Sequence, residues 1–294
     1  MATLRELKGR IGSVASSEKI TGAMKMISSA KMHKAEQNLR RLVPYRKQIQ
    51  SIIGHLLGAD GEFYSPLTDT RDVKKIAVAV FGSDDGLCGA YNVQIFKKFI
   101  SYLSEARSTY GNDVDFVVYP VGKKIAKIVS KLSDKHIGVF SDDNLNTRSS
   151  LDEIRAFTDM LKTDFINGDI DKVDILYTHF KSVSKQIVQV DGLFPVSAEA
   201  IAGLGAGVET NRPYIFEPDV NAIYNSILPL YILSVMQEIA AENNASEQAA
   251  RVMAMQAAND NAQKLLEELQ LQYNNLRQQG ITNELLDILG GQIR

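Results

Sequence analysis

Residues 258–276 read ANDNAQKLLEELQLQYNNL, and Ala258, Ala262, Leu265, Leu269, Tyr273 and Leu276 recur there in steps of three and four. That stepping is the seam of a coiled coil. Upstream, Ile223, Ile227, Leu233, Met236, Ile239 and Ala240 carry a helical pattern back toward Asn221, and Pro229 is the one breaker before Gly280. About 60 helical residues at 1.5 Å each make a rod on the order of 90 Å. A compact domain cannot bury such a rod, so it must project, pair with another helix or lie inside a partner.

The other end of the chain supplies the pairing helix. Leu4, Leu7, Ile11 and Val14 open a second seam, which restarts at Ile20, Met24 and Ile27 and again at Ala35, Leu39, Leu42, Ile49, Ile53 and Leu56. Pro44 predicts a kink or a boundary there, and Gly54, Gly58 and Gly61 predict the end. Between the two helical regions the period changes. Lys75–Phe81 (KIAVAVF), Val114–Val121, Val173–Thr178 and the shorter Ile137–Phe140 are apolar, β-branched runs with the signature of buried strands. Helical patterns over Gln94–Leu103, Lys123–Leu132 and Leu151–Phe165 alternate with them, which predicts a parallel sheet covered by helices. Lys185–Val190 (KQIVQV) alternates and reads as an added edge strand. The expected fold is therefore α/β plus a long antiparallel coiled coil. Residues 1–60 and 217–294 would be the paired terminal helices, and 72–212 a central Rossmann-like domain with a mostly parallel sheet.

The formal net charge of −2 over 294 residues gives no reason to expect nucleic acid. It hides an asymmetry: Met1–Lys47 is strongly basic, opposed only by Glu6, Glu18 and Glu36, so different parts of the chain face different partners. Cys88 is the single cysteine, which excludes internal disulfides and cysteine-rich metal frameworks. No apolar run reaches the roughly 20 residues of a membrane-spanning helix.

The loop Gly82-Ser83-Asp84-Asp85-Gly86-Leu87-Cys88-Gly89 follows a strand and precedes a helix, the position of phosphate loops. It lacks a lysine, matches neither the P-loop nor the dinucleotide pattern, and its two aspartates would repel a phosphate. It reads as a structural turn. Gly203, Gly205 and Gly207 read as a flexible loop. Cys88 has no base near it in sequence and reads as a buried thiol. His33, His55, His136 and His179 show no metal-ligand spacing, and Asp84, Asp85, Asp142 and Asp143 read as solvated turn formers. Thus no catalytic, cofactor or metal site is expected. Met24, Met26 and Met32, with Met236, Met253 and Met255, fit either core packing or an adaptable contact surface.

Blocks of sequence at both ends and in the middle resemble the gamma subunits of F-type ATP synthases. They are Arg10-Ile11-x-Ser13-Val14 with Lys19-Ile20-Thr21-x-Ala23-Met24-x-Met26-Ile27; Ser83-Asp84-x-Gly86-Leu87-Cys88-Gly89-x-x-Asn92; and Ser246-Glu247-x-x-Ala250-Arg251-x-x-Ala254-Met255, Asn261-Ala262 and Arg277-Gln278. Ile281-Thr282-x-Glu284-Leu285-x-Asp287-Ile288-x-x-Gly291 closes the series. The resemblance implies a non-catalytic central rotor of a proton- or sodium-translocating synthase. It would carry torque between a membrane c ring and an alpha/beta hexamer, impose asymmetry on the catalytic sites, and sit beside an epsilon subunit. Met24, Arg251, Gln278, Thr282 and Glu284 would contact the hexamer, with Arg251 otherwise unpaired and seeking an acidic partner loop. Tyr214, Phe216 and Glu217 would meet the c ring and epsilon at the foot. Arg251→Ala and Glu284→Ala are expected to weaken coupling with assembly intact. The tail from Gly280 to Arg294 would be a bearing surface in a hydrophobic collar. Gln292 stands where the family pattern commonly has alanine, and Glu199–Thr210 lacks the cysteine pair of thiol-regulated members. The first motif begins near Leu4, leaving no room for a presequence. The expected location is the cytoplasmic face of a bacterial inner membrane, with a mature mitochondrial form as the alternative, and membrane contact is expected only through the ring. The competing readings are a non-motor coiled-coil scaffold and a nucleotide-binding enzyme using the loop from Gly82 to Gly89.

Overall fold

The computed structural model describes residues 3–57, 63–140, 145–197 and 216–291. Two long helices, α1 (Leu4–Leu57) and α5 (Val220–Gly291), bracket an α/β unit. The unit runs β1 (Lys75–Phe81), α2 (Tyr91–Tyr110), β2 (Asp115–Val121), α3 (Lys123–Val129), β3 (Ile137–Val139), α4 (Leu151–Asn167), β4 (Lys172–Ser182) and β5 (Lys185–Phe194). Gly58, Gly61, Asp142, Asp143, the glycines at 203, 205 and 207, Tyr214 and Gln292 lie outside the described residues.

The sheet order is β3-β2-β1-β4-β5, with β1, β2, β3 and β4 parallel and β5 antiparallel at one edge. β1 is therefore central, and every residue of it after Lys75 is buried. Its two faces feed two cores. Ala77, Ala79 and Phe81 join Phe157, Leu161 and Phe165 of α4, Ile49 and Ile53 of α1, and Tyr224, Leu228, Ile232, Met236 and Ile239 of α5. Ile76, Val78 and Val80 pack instead with Ile95 and Phe99 of α2 and Ile125 and Val129 of α3. A continuous apolar strand is what a sheet covered on both sides requires. α4 starts with a capping box, Ser150 and Glu153 bonding each other's backbone N–H. α3 gives way to a 3-10 turn over Ser130–Leu132, so the predicted helix is shorter than its pattern.

The long helices run antiparallel. Thr21 meets Asn259 at 3.3 Å, Gln263 donates to Glu18 at 3.4 Å, and Arg46 pairs with Glu238 at 2.9 Å. Three sequence expectations change here. α1 passes through Pro44 without a boundary; Pro44 and Arg40 are exposed, so the carbonyl that loses its partner faces water. α5 passes through Pro229, as its pattern predicted, and runs on past Gly280, so the rod of about 60 residues becomes 72 residues with a length of about 110 Å. The seam also shifts. Ile20 and Ile27 are 59% and 56% exposed, while Ser28 and Met32 are buried. Leu265 is exposed and Leu266 half-buried, so the heptad positions on α5 are Asn259, Ala262, Leu266, Leu269, Tyr273 and Leu276.

Candidate functional site

In an open α/β sheet, ligands bind beyond the carboxyl ends of the strands where the strand order reverses. Here that point lies at the end of β1, between β2 and β4, and the Gly82–Gly89 loop forms it. Its shape is set from inside the domain. Gly82 is obligatory, because a Cβ there would lie 2.4 Å from Cβ of Ile125. The Ser83 amide donates to Asn92 Oδ1 at 3.1 Å, and Asn92 Nδ2 returns a bond to Ser83 Oγ at 2.7 Å. Asp84 accepts from the Lys123 amide at 3.1 Å and from the Thr147 hydroxyl at 2.7 Å, and Asp85 pairs with Arg148. Asp84 is thus a structural tie and not a solvated turn former, whereas Asp85 stays exposed, as expected, in a surface ion pair. Cys88 is buried, with its thiol 3.7 Å from Ser83 Oγ.

The crevice itself is filled by the chain's own helix. Asn243 of α5 is fully buried; its Nδ2 donates to Gly82 O at 2.9 Å and its Oδ1 accepts from the Tyr91 hydroxyl at 2.8 Å. One turn on, Ser246 donates to Thr178 O of β4 at 2.9 Å. Arg251 then closes the mouth of the loop. Its Nε donates to Gly86 O at 3.1 Å and its Nη2 to Asp85 O at 3.3 Å. Gln248 and Glu247 accept from it at 2.9 and 2.6 Å. Burial pushes the Glu247 carboxyl above its usual range, and the guanidinium opposes that rise. Arg251 is only 5% exposed, so the expectation of an unpaired cation awaiting an acidic partner is corrected. The stretch Ala249–Met253 suggested an apolar helix face, but the charge is neutralised one turn back by Glu247.

A second ionic cluster ties three elements together below this point. Glu238 and Glu242 stand one turn apart on α5; Arg46 of α1 reaches the first at 2.9 Å, and Nδ1 of His179 of β4 lies 2.8 Å from the second. Both carboxyls are raised chiefly by burial.

The other candidate residues are not gathered into one pocket. Met24 is half-buried on α1, and Gln278, Thr282 and Glu284 are exposed on the far end of α5. The Glu18–Gln263 register, continued stepwise, brings Leu4 level with Arg277, so α5 runs on without α1 from there. Gln278, Thr282, Leu285 and Leu289 share one face by steps of four, three and four. Ile281, Leu285, Leu286, Ile288 and Leu289 are between 49% and 61% exposed. At the foot, Phe216 is half-buried and Glu217 exposed just before α5, whereas Tyr214 falls outside the described residues.

Asn243, Ser246 and Glu247 were not singled out by chemistry in the sequence. A signal existed: Glu242–Gln248 has no apolar stripe, and a helix segment polar on all sides yet enclosed must be hydrogen-bonded on all sides. Among the described residues no cluster of three or more metal-ligating side chains occurs, and no helix is long and apolar enough to cross a membrane.

These features define a class: a helical shaft whose attached α/β domain has its ligand crevice occupied by the shaft. The family model described as ATP synthase matches residues 3–292. The ATP synthase gamma chain of Phocaeicola vulgatus is 40% identical over 295 residues, covering all of both chains. The chain belongs to the ATP synthase gamma chain family. Two solved structures share the fold. A chain of the Euglena gracilis mitochondrial ATP synthase (OSCP, F1 and c-ring, rotational state 3) has a TM-score of 0.63 at 20% identity, covering 98% of this chain and 93% of that one. A chain of the Tetrahymena thermophila mitochondrial ATP synthase central stalk and c-ring has a TM-score of 0.55 at 22% identity, covering 81% and 99%.

Proposed function

We propose that this chain is the non-catalytic central shaft of a rotary ATP synthase, carrying torque between a membrane ion ring and a surrounding alpha/beta hexamer. The observation that carries the reading is the end of α5. A helix of 72 residues extends past the long helix it pairs with and displays five large apolar side chains. Such a surface on a rod fits a collar of other subunits. The family membership and the central-stalk and c-ring structures that share the fold support it.

On this reading Met24, Gln278, Thr282 and Glu284 face the hexamer, while Phe216, Glu217 and Tyr214 lie at the foot with an epsilon subunit and the ring. Arg251 reaches the hexamer only through the loop that it holds. The basic first helix and the polar-studded last helix differ, so each rotor angle offers the three catalytic sites different contacts. The chain is peripheral, on the cytoplasmic side of a bacterial membrane, and touches the bilayer only through the ring. Ion flow, of protons or sodium, supplies about 2.3 kcal/mol per charge per 100 mV.

The test is assembly of the chain with its alpha, beta, epsilon and membrane subunits in ion-tight vesicles. Ion-driven ATP synthesis that requires this chain is expected, together with lower coupled turnover in Glu284→Ala and an intact complex. A stable self-associating chain that never enters an alpha/beta hexamer would instead mark a non-motor scaffold.

A further inference from the structure

The occupied crevice has a mechanical consequence. Below it, the α/β domain meets α5 through apolar side chains, from Tyr224 to Ile239. Such contact resists separation but has no direction of its own, so it resists sliding and twisting poorly. Hydrogen bonds are directional. Three side chains of α5 make four of them to the domain's backbone at spaced points: Asn243 to Gly82 O, Ser246 to Thr178 O, and Arg251 to Gly86 O and Asp85 O. Asn243 and Arg251 are eight positions apart, about 12 Å along the helix. One attachment would be a pivot; separated attachments on β4 and at the start and the middle of the Gly82–Gly89 loop fix a rotation angle. The guanidinium is itself immobilised by Gln248 and Glu247 on its own helix, so a displacement of α5 is passed directly to the loop.

We propose that Arg251, seconded by Asn243, is an internal torsional latch that makes the α/β domain and the upper shaft turn as one body. Arg251 is thus a positioning residue that acts through the chain's own Gly82–Gly89 loop and not by a contact of its own with another subunit. The inference rests on the shaft reading above.

The structure supplies a covalent substitute for the latch. A Cβ on Gly89 would lie 3.5 Å from Cβ of Ala254, within the span of a disulfide. The experiment places Gly89→Cys, Ala254→Cys and Cys88→Ala in the chain, with and without Arg251→Gln, and assembles each in the full complex in vesicles. Synthesis against a high ATP level is measured relative to unloaded hydrolysis, with the thiols reduced and then oxidised. In the reduced Arg251→Gln complex this ratio is expected to fall roughly fivefold, the low end of coupling between linked sites. Oxidation restores the ratio and reduction lowers it again, while the chain with Arg251 is insensitive to either. Loss of synthesis and hydrolysis in equal measure, an unchanged ratio, or a disulfide that forms without rescue would each overturn the latch. The last result would return Arg251 to a contact with a neighbouring subunit. A complex with the unaltered chain that makes no ATP would sink the shaft reading instead.

Discussion

Asn243 tests the occupied crevice most directly. Asn243→Ala removes the only side-chain donor to Gly82 O among the described residues, at a cost of about 1–3 kcal/mol for a buried carbonyl that loses its partner. The Tyr91 hydroxyl keeps the backbone oxygen of residue 243, 3.2 Å away, so its loss is partial. The space left by the amide adds to this, for a total of roughly 2–4 kcal/mol. Asn243→Asp keeps the shape and so separates chemistry from cavity. A carboxylate there cannot donate to Gly82 O and lies buried near Glu247, which should cost about 3–5 kcal/mol at neutral pH. Protonated, it regains a donor. Its folded pKa must therefore exceed the unfolded value of about 3.9, and its penalty shrinks as pH falls through the folded pKa. The assay is urea unfolding of the purified chain, followed by tyrosine fluorescence since tryptophan is absent, at two or more pH values. The reasoning fails if Asn243→Ala costs under about 0.5 kcal/mol, the range of an ordinary surface change. It fails equally if the penalty of the aspartate is flat with pH.

Gly82→Ala should destabilise by about 1–3 kcal/mol, because Ile125 cannot yield 1 Å within a packed core; calorimetry reads this as a lower melting temperature. Glu238, Glu242 and Glu247 all have folded pKa values raised by burial, so part of the stability present below the ordinary glutamate value of 4.5 is lost as pH rises through the folded pKa values. Glu242→Gln, which keeps an acceptor for His179, should flatten that fall, and a stability-against-pH slope identical to the parent's would refute the assignment. Deleting residues 279–294 should leave the unfolding free energy within about 0.5 kcal/mol, since the side chains described there are exposed, yet abolish torque-dependent synthesis in the complex.

The large features were legible because each had its own period. Alternation of apolar strands and helices predicted the parallel sheet, and KQIVQV predicted an added edge strand, which proves antiparallel and runs on to Phe194. The paired long helices followed from the two seams. What escaped was detail that depends on the third dimension. Leu265 fits a stepping of three and four as well as Leu266 does, and only the position of α1 decides between them. Pro44 did not end its helix, because tertiary packing along the rod outweighs one missing backbone bond. Arg251 was misread for a different reason. Its neighbours in sequence are apolar, but its partners are Gln248 and Glu247 on its own helix and two carbonyls more than 160 residues away.

That misreading joins the glycine loop to the missing nucleotide site. The loop after β1 sits where an α/β fold ordinarily offers backbone groups to a ligand, and it still makes that offer, to α5. Gly82 O, Asp85 O and Gly86 O are the acceptors, and an amide and a guanidinium from the shaft replace the ligand. A ligand must leave; a helix of the same chain need not. Hydrogen bonds to a charged donor contribute about 1.5–3 kcal/mol each, and separating Arg251 from the loop would also disturb the buried Glu247. One charge crossing 100 mV supplies only about 2.3 kcal/mol. The latch is therefore at least as strong as a single ion step. Torque from one such step should thus strain the exposed part of α5 before it shears the helix from its domain.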